Sequence, residues 1–422
     1  MSIARSSLNN KIWIIGVVVG GMLLALLTWA NYRFCVQNPG GNDFLVHWVG
    51  ARSFIFDGLS PYSDATAIRI QTAAYGRPAQ AGEHELRVAY PLYSVALFLP
   101  YALVRDYNLA RALWMTTLEI ALLLLSYLSI RLTDWKLGVR TLGAFLLFSV
   151  LWYHAVRPLV NGNVVILVAL AFVGGLLALR NRMDELAAAL FALSTIKPQL
   201  GLVLIIFLIY WAWNQGRKKF IYWFFFIVIG LSAGAALFIP DWIIQNLREV
   251  MRYPGYNPPG TLRAALADLF PLAGERIGWA VTAVLGVLLA LEWRFFKRCN
   301  FREFTWVVSL TLVASQWIGV TTDPGNFIIL MPALVLLLKL WEERWRRAGV
   351  LLGLVSLGVL LVGIWTIFLV TLSRGAQPQQ SAALFLPLPA FLLIALYWLR
   401  WWVVKPPRVW FDVVQTQESL DE

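Results

Sequence analysis

Ionisable side chains are sparse in this sequence, and those placed to do chemistry sit between or at the ends of long apolar runs. Asp43 follows two glycines in "PGGNDFLVHW", Asp57 and Asp64 lie in "FDGLSPYSD", and Asp323 lies in "TTDPGN". A carboxylate in such a place can take a proton, but each has a structural reading. Asp43 reads as a helix N-cap accepting from free backbone N–H groups. Asp57 before Gly58, and Asp323 in Asp-Pro-Gly, read as turn formers. Capping gives no reason to choose aspartate over serine or asparagine. Lys197, in "STIKPQ", stands where two apolar runs meet. A cation at membrane depth is costly and is a functional candidate by default, its structural reading being snorkelling to the headgroups. His47, His84 and His154 lack ligand spacing, no Asp-x-Asp motif occurs, and the two cysteines, Cys35 and Cys299, make no Cys/His metal pattern. No metal and no cofactor are expected. His154 reads as a satisfied helix-end residue, and Glu119 as an internal partner of a basic group.

The elements that hold these residues are membrane helices. Hydrophobic residues make up 59% of the 422 and charged residues only 14%, against about 25% charged in a soluble domain, and the mean hydropathy is +0.68. The formal charge of +12 fits basic residues flanking cytoplasmic helix ends rather than nucleic acid. Ile12 to Ala30 is too long for a signal h-region, and no small-residue cleavage site follows it, so it reads as a retained first helix. The expected fold is an all-α polytopic membrane protein of about 12 transmembrane helices, at 11–31, 109–130, 141–156, 164–180, 186–197, 198–214, 219–240, 277–293, 304–320, 326–340, 349–371 and 382–403. The runs on either side of Lys197-Pro198 read as two helices joined by a tight turn.

Tyr90 to Val104 is short and carries Pro91 and Pro100, so it reads as a juxtamembrane or re-entrant segment. With the N-terminus inside, "RLTDWKLGVR", "RNR", "GRKK", "RFFKRCNFR", "KLWEERWRR" and "RWWVVKPPR" are all cytoplasmic and hold most of the basic residues. Both termini are then cytoplasmic, and Cys35 and Cys299 fall on opposite sides, which argues against a disulfide. Two outer loops are long, 32–108 and 241–276, so recognition or chemistry is expected on the outer face. The tail, 404–422, is polar and cytoplasmic. Asn42 to Asp57 places Phe44, Trp48, Ala51 and Ile55 at helical spacing, with Asp43, His47 and Gly50 on an adjacent stripe. That pattern predicts an amphipathic helix lying at the membrane surface.

A first helix followed by "NDFLVHWVGARSFIFDGLSPY" and "YPLYSVALFLPYALV" resembles glycosyltransferase family 87. "LVNGNVVILVALAFVGGLLAL", "LAAALFALSTIKPQL" and "DPGNFIILMPALVLLL" fall where that family has its Gly-Gln/Asn, Lys-Pro and loop-then-proline elements, so the likeness runs over roughly 11–340. Asn163 stands where the family commonly has Gln, and Asp323 where many members carry a histidine or other aromatic polar residue.

The resemblance implies one integral-membrane glycosyltransferase domain over 1–422, a GT-C-type bundle in the plasma (inner) membrane with outer-face juxtamembrane helices. It implies transfer of a sugar, mannose by family likeness, from a polyprenyl-phosphate donor to a lipid or glycan acceptor, with inversion. An outer-face acidic residue soon after the first helix serves as general base. Asp43 fits that position, with Asp323 as second candidate. Lys197 and Arg157 would hold the lipid phosphate, Asn161 and Asn163 the sugar hydroxyls, and His47, Tyr62 and Tyr90 the substrate. The partners are the lipid-linked donor, the acceptor and the bilayer, with no nucleic acid. One rival is an O-antigen polymerase or ligase-like enzyme, given Arg248, Arg252, Arg263 and Arg276 in the second outer loop. A lipid-linked sugar transporter would show paired mid-span charges and two similar halves, which are not conspicuous. A non-catalytic membrane subunit is the third.

Overall fold

A computed structural model describes residues 2–257, 260–319, 323–372 and 381–404, with side chains from residue 15 onward. Helix makes up 81% of it, and no strand occurs among the described residues. The chain runs through α1 (Ser2–Gln37), α2 (Asn42–Asp57), α3 (Asp64–Tyr75), α4 (Val95–Ala102), α5 (Tyr107–Thr133), α6 (Val139–Leu151) and α7 (Tyr153–Asn161). It continues through α8 (Val165–Arg180), α9 (Asp184–Ser194), α10 (Pro198–Asn214), α11 (Lys218–Ala236), α12 (Trp242–Arg252) and α13 (Leu262–Leu269). The last helices are α14 (Gly274–Phe295), α15 (Phe301–Ile318), α16 (Met331–Trp345), α17 (Arg347–Thr371), α18 (Pro387–Trp398) and α19 (Arg400–Val404). The predicted tail beyond 404 lies outside the described residues.

Each predicted span falls on helix. Six helices are long and apolar enough to cross a membrane, at Ile15–Gln37, Tyr107–Thr133, Lys218–Ala236, Gly274–Phe295, Pro324–Trp345 and Arg347–Thr371, and α6 with α7 makes a seventh if that bent pair is one span. Val165–Arg180, Pro198–Asn214 and Ala382–Trp398 are shorter apolar helices. At 1.5 Å per residue a 16-residue helix reaches about 24 Å, short of a hydrocarbon core about 30 Å thick. By length and composition, six helices are candidates to cross, or seven with the bent pair, and the expected count of about twelve is not shown. Leu92–Ala102 is shorter still. α9 ends at Ser194 and α10 opens at Pro198, a residue suited to a first helical turn because its missing N–H would have no partner there.

The described chain divides into two compact units. The first holds 1–124, 155–170 and 228–258. Here α1 is exposed over most of 15–30 and docks on α5 near its end, where Asn31 donates to Thr116 (3.0 Å) and to Glu119 (2.8 Å) and Cys35 is buried against Met115. Glu119 thus pairs with an amide, not with the expected cation. One apolar core joins the first long loop to the end of α11 and the start of α12, through Leu45, Val46, Val49, Tyr62, Ile70, Leu86, Val88, Leu92, Ala235 and Trp242. A charged cluster ties them further: Arg87 pairs with Asp64, Glu85 (2.9 Å) and Glu249 (3.3 Å), and Arg252 pairs with Glu85 (2.9 Å).

That core corrects the reading of α2. The helix does not lie amphipathic on a surface; Leu45, Val46 and Val49 are buried against the outer-loop core, and Phe44 on the other side stacks on Tyr107 and Trp114. A helix between two apolar layers has no solvated stripe. Trp48 and Arg52 donate to the carbonyls of Tyr101 (3.1 Å) and Ala102 (2.6 Å), closing the C-terminal end of α4.

The second unit holds 125–154, 171–227 and 259–422. Side chains link its interhelical segments in two separate groups. In one, Arg180 pairs with Asp134, Arg217 with Asp184, Trp135 donates to Glu342, Arg302 pairs with Glu343 (2.6 Å) and Gln215 donates to the Cys299 carbonyl (3.3 Å). In the other, His154 bonds the Pro324 carbonyl (2.6 Å), Lys197 donates to Asn326 (2.7 Å) and Trp317 donates to the Phe385 carbonyl (3.0 Å). The first group joins segments assigned to the cytoplasm from charge; the second joins segments assigned outside.

Candidate active site

Pro39-Gly-Gly reverses the chain after α1. Gly41, in the left-handed region at φ 79°, occupies the N-cap position of α2 and makes no side-chain cap. Asp43 is therefore not the expected cap. It lies in the first helical turn, partly exposed, and its Oδ2 accepts from the amides of Asn161 (2.6 Å) and Asn163 (2.7 Å). Asn161 and Asn163, the residues expected on sugar hydroxyls, both reach the carboxylate. Gly162 makes this possible: its φ is +73°, and a Cβ there would stand 2.5 Å from the Phe44 Cβ. A left-handed residue between the two asparagines turns both amides toward one oxygen, which a regular helix would not do. Asn163 Oδ1 also accepts from the Val165 N–H (3.0 Å), which starts α8.

One face of α5 holds both halves of this arrangement. The Tyr107 hydroxyl donates to the carbonyls of Gly40 (2.8 Å) and Gly41 (3.1 Å), and Trp114 donates to that of Gly162 (2.8 Å). Between them Arg111 donates to the carbonyls of Asn38 (2.7 Å) and Val160 (3.0 Å). None of these three residues was singled out from the sequence. Their spacing, i, i+4 and i+7 in "YNLARALW", is a single helical face, and an arginine on it within an apolar run is the signal that was there to read.

The structure brings His47, Tyr62 and Tyr90 together one turn beyond Asp43. The His47 ring stacks on Tyr90 (4.1 Å) and Phe98 (4.6 Å), and the Tyr62 hydroxyl donates to the Tyr90 carbonyl (2.7 Å). Burial pushes the Tyr62 pKa up, so the hydroxyl keeps its proton and donates. These side chains, with Pro61, Val88 and Pro91, surround a cavity of about 10 Å³, room for about one water. Arg157 is half-buried on α7. The competing carboxylates are engaged elsewhere: Asp57 pairs with Arg69 and Asp64 with Arg87.

In the second unit Lys197 is buried, 5% exposed, and its Nζ bonds Asn326, which excludes snorkelling in this structure. Asp323 accepts from the Gly325 N–H (2.7 Å), the turn role expected of Asp-Pro-Gly. Of the second-loop arginines, Arg252 and Arg263 are ion-paired, with Glu85 and Glu275. Among the described residues no cluster of three or more His, Cys, Asp or Glu could hold a metal ion.

The sequence model of glycosyltransferase family 87 matches residues 89–315, more than half of the chain. The chain belongs to glycosyltransferase family 87. The matched region carries Tyr90, Arg111, Arg157, Asn161, Asn163 and Lys197, while Asp43, His47, Tyr62 and Asp323 lie outside it. No curated protein and no solved structure matches the chain. Membership in family 87 makes the protein a membrane glycosyltransferase, consistent with its long apolar helices.

Proposed function

We propose that the protein transfers a sugar, mannose by family likeness, from a polyprenyl-phosphate donor to a hydroxyl of a lipid or glycan acceptor at the outer face of the plasma membrane. Asp43 is the general base. It takes the proton of the acceptor hydroxyl as that oxygen bonds to the anomeric carbon. The bond from that carbon to the phosphate oxygen breaks on the opposite face, so the configuration inverts and polyprenyl phosphate leaves. Positioned proton transfer of this kind contributes about 10²–10⁴ in rate.

The observation that carries this reading is the Asn161-Gly162-Asn163 element closed on Asp43. Two amides presented by one left-handed turn converge on a single oxygen of the carboxylate and fix its orientation. Lys197 and Arg157 are the proposed cations for the lipid phosphate, which carries little enough charge to be met by side chains without metal. His47, Tyr62 and Tyr90 are proposed to meet the substrate beside the base.

The test is incubation of purified protein with polyprenyl-phosphate-mannose and a membrane extract, reading product and released polyprenyl phosphate by mass spectrometry. Release that depends on acceptor and stops in Asp43→Asn supports the reading. Release at the normal rate from Asp43→Asn sinks Asp43 as base and makes Asp323 the next residue to replace.

A further inference from the structure

Arg111 is among the most deeply buried side chains of the chain, 1% exposed, on the α5 face it shares with Tyr107 and Trp114. A buried guanidinium is expensive unless its donors are well used, and here its two Nη atoms go to two separate backbone segments. Asn38, whose carbonyl takes Nη1, belongs to the turn that leads into Asp43; Val160, whose carbonyl takes Nη2, immediately precedes Asn161. The Pro39-Gly-Gly turn is shaped around this side chain: a Cβ on Gly41 would stand 2.4 Å from Arg111 Nε. We infer that Arg111 is a positioning residue for the Asp43 carboxylate, its planar fork fixing the separation between the base and the amides of Asn161 and Asn163. The inference rests on Asp43 being the base.

The chemistry of the fork decides what a substitute can do. A guanidinium presents rigid, divergent donors that hold two carbonyls at a set distance, whereas an ammonium keeps the charge on one compact centre and imposes no such spacing. Arg111→Lys therefore preserves the buried cation and removes the ruler. A role in charge alone survives that exchange; a role in geometry does not. Tyr107 and Trp114 grip the same two segments, so the fold has other anchors when the fork is lost.

The experiment measures kcat and donor KM with polyprenyl-phosphate-mannose for the purified parent protein, Arg111→Lys, Arg111→Gln and Asp43→Asn, with the thermal midpoint of each. Expected for Arg111→Lys is a loss of about 10²-fold in kcat, the cost of displacing a reacting group by about 1 Å, at unchanged donor KM, with Arg111→Gln no better. Parental kcat in Arg111→Lys, or a loss confined to KM or to the thermal midpoint, overturns the inference while leaving Asp43 as base. An active Asp43→Asn overturns the base itself, and the inference with it. Should neither Arg111 variant be recovered folded, Tyr107→Phe removes one hydroxyl from the same turn. Expected there is a several-fold loss in kcat at constant KM, and parental kcat in that variant overturns the inference equally.

Discussion

Asp43 shows how differently one residue reads from its neighbours in sequence and from its neighbours in space. As a cap it would be replaceable by asparagine; as an acceptor for two distant amides it is replaceable by asparagine in shape but not in charge. Asp43→Asn, with its oxygen turned to Asn161 and Asn163, is expected to keep the thermal midpoint and to lose transfer by at least about 10²-fold. Asp43→Ala is expected to cost about 1–3 kcal/mol in addition, because two amides lose their acceptor; thermal unfolding in detergent separates the two variants. Lys197→Met is expected to weaken donor binding and, since Asn326 Oδ1 is left buried without that donor, to lower the thermal midpoint as well. Parental donor affinity in Lys197→Met would confine Lys197 to a structural role. The turn before Asp43, the Asn-Gly-Asn segment and Lys197 were all legible as unusual residues in apolar surroundings. Their partners were not. Asn161 and Asn163 lie 118 and 120 residues from Asp43, and nothing in local spacing reports a contact at that range.

At the scale of elements, residues 64–92 fold together with 242–252 because Arg87 neutralises what they bury. Glu249 is 3% exposed. Burial raises its pKa above the ordinary 4.5, with Arg87 and Arg252 acting against the rise. Asp64 moves the other way, its carboxyl held below the usual range by the hydrogen bond and charge of Arg87. The signs are opposite. A raised carboxyl favours the fold most below its ordinary pKa and less as pH climbs through the folded value; a depressed one favours the fold above its ordinary pKa and fails as pH falls through the folded value. Arg87→Met removes the counter-charge from both, so Glu249 rises further and Asp64 loses its acid-labile bond. The variant is expected to lose about 3–5 kcal/mol at neutral pH and to regain part of it as pH is lowered toward 5. Thermal midpoints of parent and variant across that interval check it; parallel profiles would show that the cluster does not hold the loops. The sequence showed these loops to be long and turn-rich, but it offered an amphipathic surface helix where α2 is buried on both sides. Periodicity registers one apolar stripe and is blind to a second layer supplied by residues 86–92 and 235–242.

For the whole molecule, composition alone settled the class, and apolar runs located the helices to within a few residues. The number of crossings was less legible, because segments such as 164–180 and 198–214 are apolar but short. The expected orientation rests on the distribution of basic residues and is open to a direct test. Native thiols serve poorly, since Cys35 is buried and burial pushes the Cys299 pKa up to about 12, leaving little thiolate to react. Cysteines placed at the exposed positions Gln80 and Lys136 report instead. With an impermeant maleimide on intact cells, Gln80→Cys is expected to label at once and Lys136→Cys only after permeabilisation. The reverse order would invert every loop and put Asp43 in the cytoplasm.

The span of 118 residues between Asp43 and Asn161 also sets a schedule. At about 5–20 residues per second the ribosome takes roughly 6–24 s to deliver the amides after the carboxylate has been made. During that interval α2 can pack on residues 62–114 as they emerge, but the Asp43 carboxylate has neither Asn161 nor Asn163 to accept from. The base is made early, and the site becomes a site only when the Asn-Gly-Asn turn arrives.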